Sequence, residues 1–191
     1  MKFNVAKSAT VIFPPYKGSK RVTYMFPSFT LDGCPILVVD NCKYLGHFLS
    51  SKDDDDVDIL HQNRLLYART NLHIRKFGRC SKEVKLCLFK AYCMNFYGES
   101  LWECYSTTVL KRFEASYVKC IKMFFGYDKY HSVTMMLLDL GLPTMTTILH
   151  NAKVRLRICV TDHVNKLVAY VHAGGSCHGY QKIAEWLCSG S

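Results

Sequence analysis

The sequence has no long apolar run and no secretory leader. No stretch approaches the ~18 apolar residues that a membrane-spanning helix needs, and the N-terminal apolar pieces are interrupted by Asn4, Lys7 and the Pro14-Pro15 pair. A signal peptide needs an uninterrupted apolar core, which is missing here. We therefore expect no membrane association and an intracellular protein, either cytoplasmic or nuclear.

The familiar catalytic and metal-binding motifs are also missing. The sequence has no C-x-x-C pair, no P-loop, no G-x-S-x-G, no H-E-x-x-H and no G-x-G-x-x-G. A zinc site could be assembled only from Cys159, His163, His172, Cys177 and His178, whose spacing matches no zinc-finger template. We expect no metal site and no cofactor, because core cysteines and surface histidines account better for these residues.

A run of four aspartates, residues 53–56, raises the possibility of a two-metal site. Such a site needs carboxylates that converge from different backbone elements on ions ~4 Å apart. Consecutive residues of a helix point about 100° apart, so the run alone cannot form one. We interpret it as a solvated loop that caps a helix, where negative charge suits the positive end of the helix dipole.

Composition points to an ordinary globular chain with an anionic partner. The 191 residues are 49% hydrophobic and 21% charged, which excludes whole-chain disorder. The net charge of +10 indicates nucleic acid or an anionic membrane surface as a partner. The ten cysteines are interpreted as reduced thiols. Four of them lie among apolar residues and are expected in the core: Cys87, Cys93, Cys104 and Cys120.

The residue pattern changes near position 53. Residues 1–52 contain short β-branched runs, an Asp32-Gly33 hairpin signal, and proline breaks typical of edge strands. Residues 53–172 show helical periodicity, and residues 173–191 read as a loosely ordered tail. We predict an α+β fold in which a small antiparallel β piece precedes a mainly α-helical array. The first helix should bury Val57, Leu60, Leu65, Ala68 and Leu72, and the third Val109, Phe113, Tyr117, Cys120 and Phe124.

Positive charge is concentrated in the first two helical segments. Between Ile59 and Gly98 the only acid is Glu83. A solvated basic face and a groove that follows a phosphate backbone explain this pattern equally well. The basic residues concerned are Arg64, Arg69, Arg75, Lys76, Arg79, Lys82, Lys85 and Lys90.

Several short motifs, in order, resemble one family. Asn4-x-x-Lys7-Ser8 resembles a polymerase motif that precedes an apolar strand, and residues 43–47 (Lys-Tyr-Leu-Gly-His) resemble the hairpin that holds a primer end. Residues 80–102 and the Gly141-Leu142-Pro143 break resemble later helices. Together they are similar to the C-terminal part of a reverse transcriptase from LINE-type, non-LTR retrotransposons, covering the palm edge and the helical thumb up to about residue 170.

The resemblance implies roles for particular residues. Lys7 matches a motif lysine near the leaving pyrophosphate, where a cation can neutralise the departing oxygen. Tyr44, Leu45 and Gly46 match the primer grip, and the basic helices match a thumb that follows the template–primer backbone. The aspartate dyad of the family precedes the Asn-x-x-Lys-Ser motif, so its metal-binding residues, and the Mg²⁺ of an intact polymerase, are expected on an upstream half.

Two functions therefore remain open from the sequence. In the first, the chain is a truncated reverse-transcriptase fragment that binds RNA and DNA as template–primer, pairs with the missing upstream polymerase half, and does not polymerise alone. In the second, it is a small, cysteine-rich helical interaction protein with no nucleic-acid role. The salt dependence of nucleic-acid binding separates them.

Overall fold

The computed structural model describes residues 4–13 and 27–161, and it has the predicted α+β fold. The strands are β1 (Ala9–Thr10), β2 (Thr30–Leu31), β3 (Cys34–Pro35), β4 (Leu37–Val38), β5 (Asn41–Tyr44) and β6 (His47–Ser50). The helices are α1 (Asp56–Phe77), α2 (Lys82–Leu88), α3 (Thr107–Phe125), α4 (Val133–Leu140) and α5 (Met145–Thr161). Short helical turns lie at Val5–Lys7, at Glu99–Leu101 and, as a π-turn that continues α2, at Phe89–Cys93.

The strands form three separate two-stranded ladders. β2 pairs antiparallel with β3 across the predicted Asp32-Gly33 turn, and β5 pairs antiparallel with β6. β1 pairs with β4 in parallel, so the prediction of a wholly antiparallel β piece is wrong for this pair. Parallel pairing requires a long connection, and the 26 positions between Thr10 and Leu37 provide one. On β4, the side chains of Leu37 and Val38 are 69% and 50% exposed.

The chain forms two compact units, which do not follow the sequence-based boundary at residue 52. The first unit comprises Met1–Gly98 and Trp102–Val133, so the β5–β6 hairpin belongs with α1 to α3. The second unit comprises Glu99–Leu101 and Thr134–Ser191. The predicted C-terminal tail, residues 173–191, lies outside the described residues.

The core of the first unit lies between α1 and α3, which run side by side, and the π-turn after α2. The predicted stripe of α3 is confirmed for four of its five residues, because Phe113, Tyr117, Cys120 and Phe124 are buried, whereas Val109 is half-buried. Burial of large apolar side chains stabilises the folded state by about 1.5–3 kcal/mol each. The other buried apolar residues of this unit are Ile59, Leu66, Phe89, Cys93, Phe96, Trp102 and Ile121.

The predicted apolar face of α1 is wrong for two of its five residues, whereas Val57, Leu60 and Leu65 are half-buried. Ala68 and Leu72 are exposed, and Leu72 keeps 49% of its surface accessible. The buried face of α1 carries the apolar residues Ile59 and Leu66 together with five polar residues. Those buried polar residues are Asp58, Gln62, Asn63, Thr70 and His73.

The second unit packs α4 and α5 through apolar side chains. Met136 and Leu140 of α4 are buried, as are Leu142, Met145 and Leu149 around the start of α5. α5 also contacts the Glu99–Leu101 turn. Within the described residues no single helix is long and apolar enough to cross a membrane, although α4 and α5, bent by 53° at their junction, pass that test as a pair by length and composition.

All eight cysteines in the described part of the chain are free thiols. Cys93 and Cys120 are buried as predicted, whereas Cys87 and Cys104 are exposed, so the prediction of a core position is wrong for these two. Cys87 lies on the outer side of α2, and Cys104 lies on the surface before α3. Burial raises the pKa of the Cys93 thiol and raises the pKa of Cys120 to about 11.

We expect the thiols to react in two classes. At pH 8 only about one thousandth of Cys120 is thiolate, the reactive form, and the core shields its sulfur from reagents. A thiol reagent followed by peptide mapping should therefore modify Cys87 and Cys104 within the folded protein, and Cys93 and Cys120 only after denaturant is added. Modification of Cys120 as fast as of Cys87 would contradict this packing.

Candidate nucleic-acid interface

The hairpin predicted as a primer grip is present as the β5–β6 ladder. Its two-residue turn, Leu45-Gly46, has φ angles of 46° and 93°, which is typical of a type I′ turn. This turn favours Asn or Asp at the position held by Leu45, because a left-handed conformation costs an ordinary L-residue about 1–2 kcal/mol. The tip therefore holds a leucine in a conformation that stability alone disfavours.

The tip of the hairpin is open to solvent. Tyr44 is 62% exposed and Leu45 is 72% exposed. Lys43 places its ammonium group 5.9 Å from the ring centre of Phe48 on the neighbouring strand. The tip thus presents an aromatic ring and an aliphatic side chain, which suits contact with bases. Lys43 lies on the opposite face of β5 from Tyr44, because successive residues of a strand point to opposite faces.

Two glycines allow this hairpin to pack closely on residues 97–98. A Cβ at Gly46 would lie 2.7 Å from Cε1 of Tyr97, which is closer than side chains approach. A Cβ at Gly98, whose φ is 77°, would overlap the imidazole ring of His47. The rings of His47 and Tyr97 lie 5.0 Å apart. The hairpin therefore packs so closely on residues 97–98 that positions 46 and 98 have no room for a side chain larger than hydrogen.

The buried carboxylate of Asp58 anchors the hairpin to α1. Asp58 is 2% exposed, and its Oδ2 accepts a hydrogen bond from Nε1 of Trp102 at 2.9 Å. Its Oδ1 accepts one from the backbone N–H of Phe48 at 3.1 Å, and Nδ1 of His47 lies 3.2 Å from Oδ2. One side chain thus joins the hairpin, the start of α1 and the segment before α3. Sequence reasoning missed Asp58, because its donor Trp102 lies 44 positions later in the chain.

The aspartate run lies at the start of α1 as predicted, with Asp55 at the N-cap position and Asp56 in the first turn, but the interpretation as a solvated loop is wrong for these two half-buried residues. Oδ2 of Asp55 accepts hydrogen bonds from the backbone N–H groups of Glu103 and Cys104 at 2.7 and 2.8 Å. Oδ1 of Asp56 accepts one from the N–H of Ser106 at 2.7 Å. Burial raises the pKa of Asp55, although both amides favour its charged form. These carboxylates connect the start of α1 to the start of α3.

Six of the eight predicted basic residues have exposed side chains, and two have internal partners. Nη1 of Arg69 donates to the backbone carbonyl of Asn95 at 2.8 Å. The ammonium of the half-buried Lys85 lies 5.9 Å from the ring centre of Phe124. The geometry thus gives Arg69 and Lys85 structural contacts. The exposed residues are Arg64, Arg75, Lys76, Arg79, Lys82 and Lys90.

Four of the exposed cations lie together where α1 ends and α2 begins. We call Arg75, Lys76, Arg79 and Lys82 the basic corner. The only acid between positions 75 and 90 is Glu83, so the corner is strongly positive. Arg64 lies eleven residues before Arg75 and shares its side of α1, the side away from the core.

Lys7 lies at the end of the Val5–Lys7 turn with an exposed side chain. Within residues 4–13 and 27–161 no three His, Cys, Asp or Glu side chains come close enough to hold a metal ion. Of the residues considered for zinc, only Cys159 is among those described, and it is exposed. The catalytic role that the resemblance implies for Lys7 stays a prediction.

Comparisons with known proteins found no relative. A scan against protein-family models, a search of the curated proteins and a search of the solved structures each gave no match. The resemblance to non-LTR reverse transcriptases therefore stays a prediction from the sequence, and the function has to be inferred from the chain's own geometry.

Proposed function

We propose that this chain binds template–primer nucleic acid through the phosphate backbone, as the primer-grip and thumb part of a non-LTR reverse transcriptase. The observation that carries the proposal is the basic corner, where four exposed cations lie between the end of α1 and the start of α2. Polymerisation needs a paired-metal carboxylate site, and such a site is expected on an upstream half of the enzyme. The chain's task is to hold the duplex.

The electrostatics of the corner support backbone binding. Duplex nucleic acid carries a dense row of phosphates, and cations that neutralise them release condensed counterions, which favours binding regardless of sequence. Arg75 and Arg79 carry planar guanidinium groups that can form paired hydrogen bonds with phosphate oxygens. A surface of this kind holds a substrate whose sequence changes at each step of synthesis.

The hairpin tip supports the same proposal. Leu45 is both conformationally strained and 72% exposed, although an exposed leucine in a left-handed turn contributes nothing to stability. Strained residues of this kind cluster at functional sites. The close packing at Gly46 and Gly98 and the hydrogen bond to Asp58 fix the base of the hairpin, so its tip is held in a defined position for contact with a ligand.

The salt dependence of binding tests the proposal. With three to five phosphate contacts, the plot of log affinity against log salt concentration should have a slope of about −3 to −4. The measurement is fluorescence anisotropy of a labelled RNA–DNA hybrid titrated with protein at several KCl concentrations. Two hybrids of unrelated sequence should bind alike, because phosphate contacts carry no base information. A flat salt response would contradict the proposal.

A protein partner is a second candidate, favoured by the exposed β1–β4 ladder. Leu37 and Val38 present apolar surface on a two-stranded ladder, and unpaired strand edges are sites for pairing with another chain. Under the main proposal this partner is the upstream polymerase half. We propose an intracellular location for either function.

A further inference from the structure

The loop between α3 and α4 displays an exposed aromatic side chain, Tyr130. Tyr130 is 83% exposed, more than any other large apolar or aromatic residue of the described ranges. Exposure of a single tyrosine is ordinary on a protein surface. The loop around Tyr130, however, is held in place from several sides, so the ring is presented in a fixed position.

Lys122 of α3 fixes the backbone of the loop. Its Nζ donates hydrogen bonds to the backbone carbonyls of Lys129 and His131, both at 2.7 Å. These two carbonyls flank Tyr130 on either side in the sequence. The backbone that carries the exposed ring is therefore tied to the last turns of a buried helix.

Asp128 fixes the turn itself. Its Oδ1 accepts a hydrogen bond from the N–H of Tyr130 at 2.8 Å, and its backbone carbonyl accepts one from the N–H of His131 at 3.1 Å. The rings of Tyr127 and His131 pack with centres 4.8 Å apart, which closes the base of the loop. Asp128 and Lys129 are both exposed, so the surface of the loop carries one carboxylate, held in this turn, and the cation of Lys129.

Lys129 and Tyr130 together have the chemistry of a nucleotide-binding pair. The Lys129 ammonium lies 4.6 Å from the centre of the Tyr130 ring, a cation–π distance. A flat base can stack on the tyrosine ring while the ammonium neutralises the adjoining phosphate, which is how sequence-tolerant single-strand sites work. The residues next to Tyr130 in the loop, Asp128, Lys129, His131 and Ser132, are polar and exposed.

The loop lies at the same end of the first unit as the basic corner. α1 and α3 run in the same direction: Asp56 at the start of α1 binds Ser106 before α3, and the ring of His73 near the end of α1 lies 6.3 Å from that of Phe124 near the end of α3. The basic corner follows the end of α1, and the Tyr130 loop follows the end of α3.

We infer that Tyr130 and Lys129 form a stacking site for an unpaired nucleotide, beyond the end of a duplex held at the basic corner. The ligand class is single-stranded RNA or DNA continuous with that duplex. This inference rests on the proposed function for its duplex, but the stacking site can be tested separately. Its ligand contacts are the phenol ring with the base and the Lys129 ammonium with one phosphate.

The test compares a blunt duplex with the same duplex carrying a short single-stranded overhang, with 2-aminopurine at the first unpaired position. The overhang should bind more tightly than the blunt duplex, and stacking should quench the 2-aminopurine fluorescence. Tyr130→Ala should weaken overhang binding by about tenfold or more, abolish the quenching and leave blunt-duplex binding unchanged. Tyr130→Trp should retain both effects, and Lys129→Gln should reduce the salt slope for the overhang by about 0.7.

Leu138→Ala is the matched control, because it removes a side chain that is 72% exposed and carries no ring. If the blunt duplex binds with the expected salt slope but Tyr130→Ala changes neither ligand, or weakens both equally, the stacking site is overturned and the proposed function stands. If only the overhang binds, and Tyr130→Ala abolishes that binding, the proposed duplex surface is wrong and the stacking site stands. If neither ligand binds, both are overturned.

Discussion

Replacing Asp58 with alanine should lower the free energy of unfolding by about 3–5 kcal/mol. The change leaves the buried indole N–H of Trp102 and the N–H of Phe48 without their acceptor, and it removes the carboxylate beside His47. A buried donor without a partner loses its hydrogen bonds to water and gains nothing in return. Because α1, the hairpin and the segment before α3 all meet at this side chain, the loss should affect the whole first unit.

Urea denaturation followed by far-UV circular dichroism measures this effect. Asp58→Asn should cost less than the alanine variant, because one carbonyl oxygen remains as an acceptor at nearly the same place. Asp40→Ala is the matched control: Asp40 is exposed, and surface substitutions of this kind change stability by about 0.5 kcal/mol or less. An Asp58→Ala variant as stable as Asp40→Ala would show that the buried carboxylate does not hold the hairpin.

Reversing three charges of the basic corner should weaken duplex binding by about two to three orders of magnitude near 0.1 M salt. The variant is Arg75→Glu, Lys76→Glu and Arg79→Glu together, and these three side chains are exposed, so the fold should be preserved. Each phosphate contact contributes about 0.9 to the salt slope, so the loss of three contacts should reduce the magnitude of the slope by about 2.7. The loss should be equal for unrelated sequences, because no base contact is removed.

A second triple variant controls for net charge. Lys111→Glu, Arg112→Glu and Lys119→Glu change exposed residues of α3 in the same unit and lower the net charge by the same amount. It should retain most of the affinity and most of the salt slope. Equal losses in the two variants would mean that the overall positive charge attracts nucleic acid without a defined surface. Unchanged binding in the corner variant would mean that the basic corner is only a solvated surface, and it would favour the second function, an interaction protein with no nucleic-acid role.

α3 could be predicted from the sequence because its own residues determine it. Phe113, Tyr117 and Phe124 recur at helical spacing, and Gly126, in the left-handed conformation that glycine adopts readily, caps the end of the helix. At its start, the hydroxyl of Ser106 accepts the capping hydrogen bond from the backbone N–H of Val109, which is a local contact as well. Where packing follows local periodicity, the pattern is sufficient.

α1 and α2 could not be predicted in the same way. The apolar residues of α1 favour a face through Leu65 and Leu72, but Asp58 is drawn inward by Trp102, which lies 44 positions later. In α2 the π-turn at Phe89–Cys93 shifts the inward face, so Phe89 and Cys93 are buried while Tyr92 is 56% exposed. Periodicity contains no information about a distant hydrogen-bond donor or about an extra residue in a helical turn.

In the candidate site, too, the local features could be predicted and the contacts between distant parts of the sequence could not. The Tyr44-Leu45-Gly46 turn could be predicted because the hairpin is local, and the basic residues could be counted directly. The parts of the sequence that support the hairpin could not be predicted, since Tyr97 and Gly98 come from a segment about fifty residues later. The internal partner of Arg69 is likewise a carbonyl 26 positions away, which charge patterning cannot reveal.

The carboxylates at the start of α1 also determine how the first unit must fold. Asp55, Asp56 and Asp58 each bind donors that lie 44 to 50 positions further along the chain. Helix formation in α1 alone forms none of these hydrogen bonds. The start of the helix is therefore fully stabilised only when the segment before α3 packs against it. Contacts of such long sequence separation slow folding and make it cooperative. The hairpin, the start of α1 and the segment before α3 therefore form a single folding unit, which opens and closes as one.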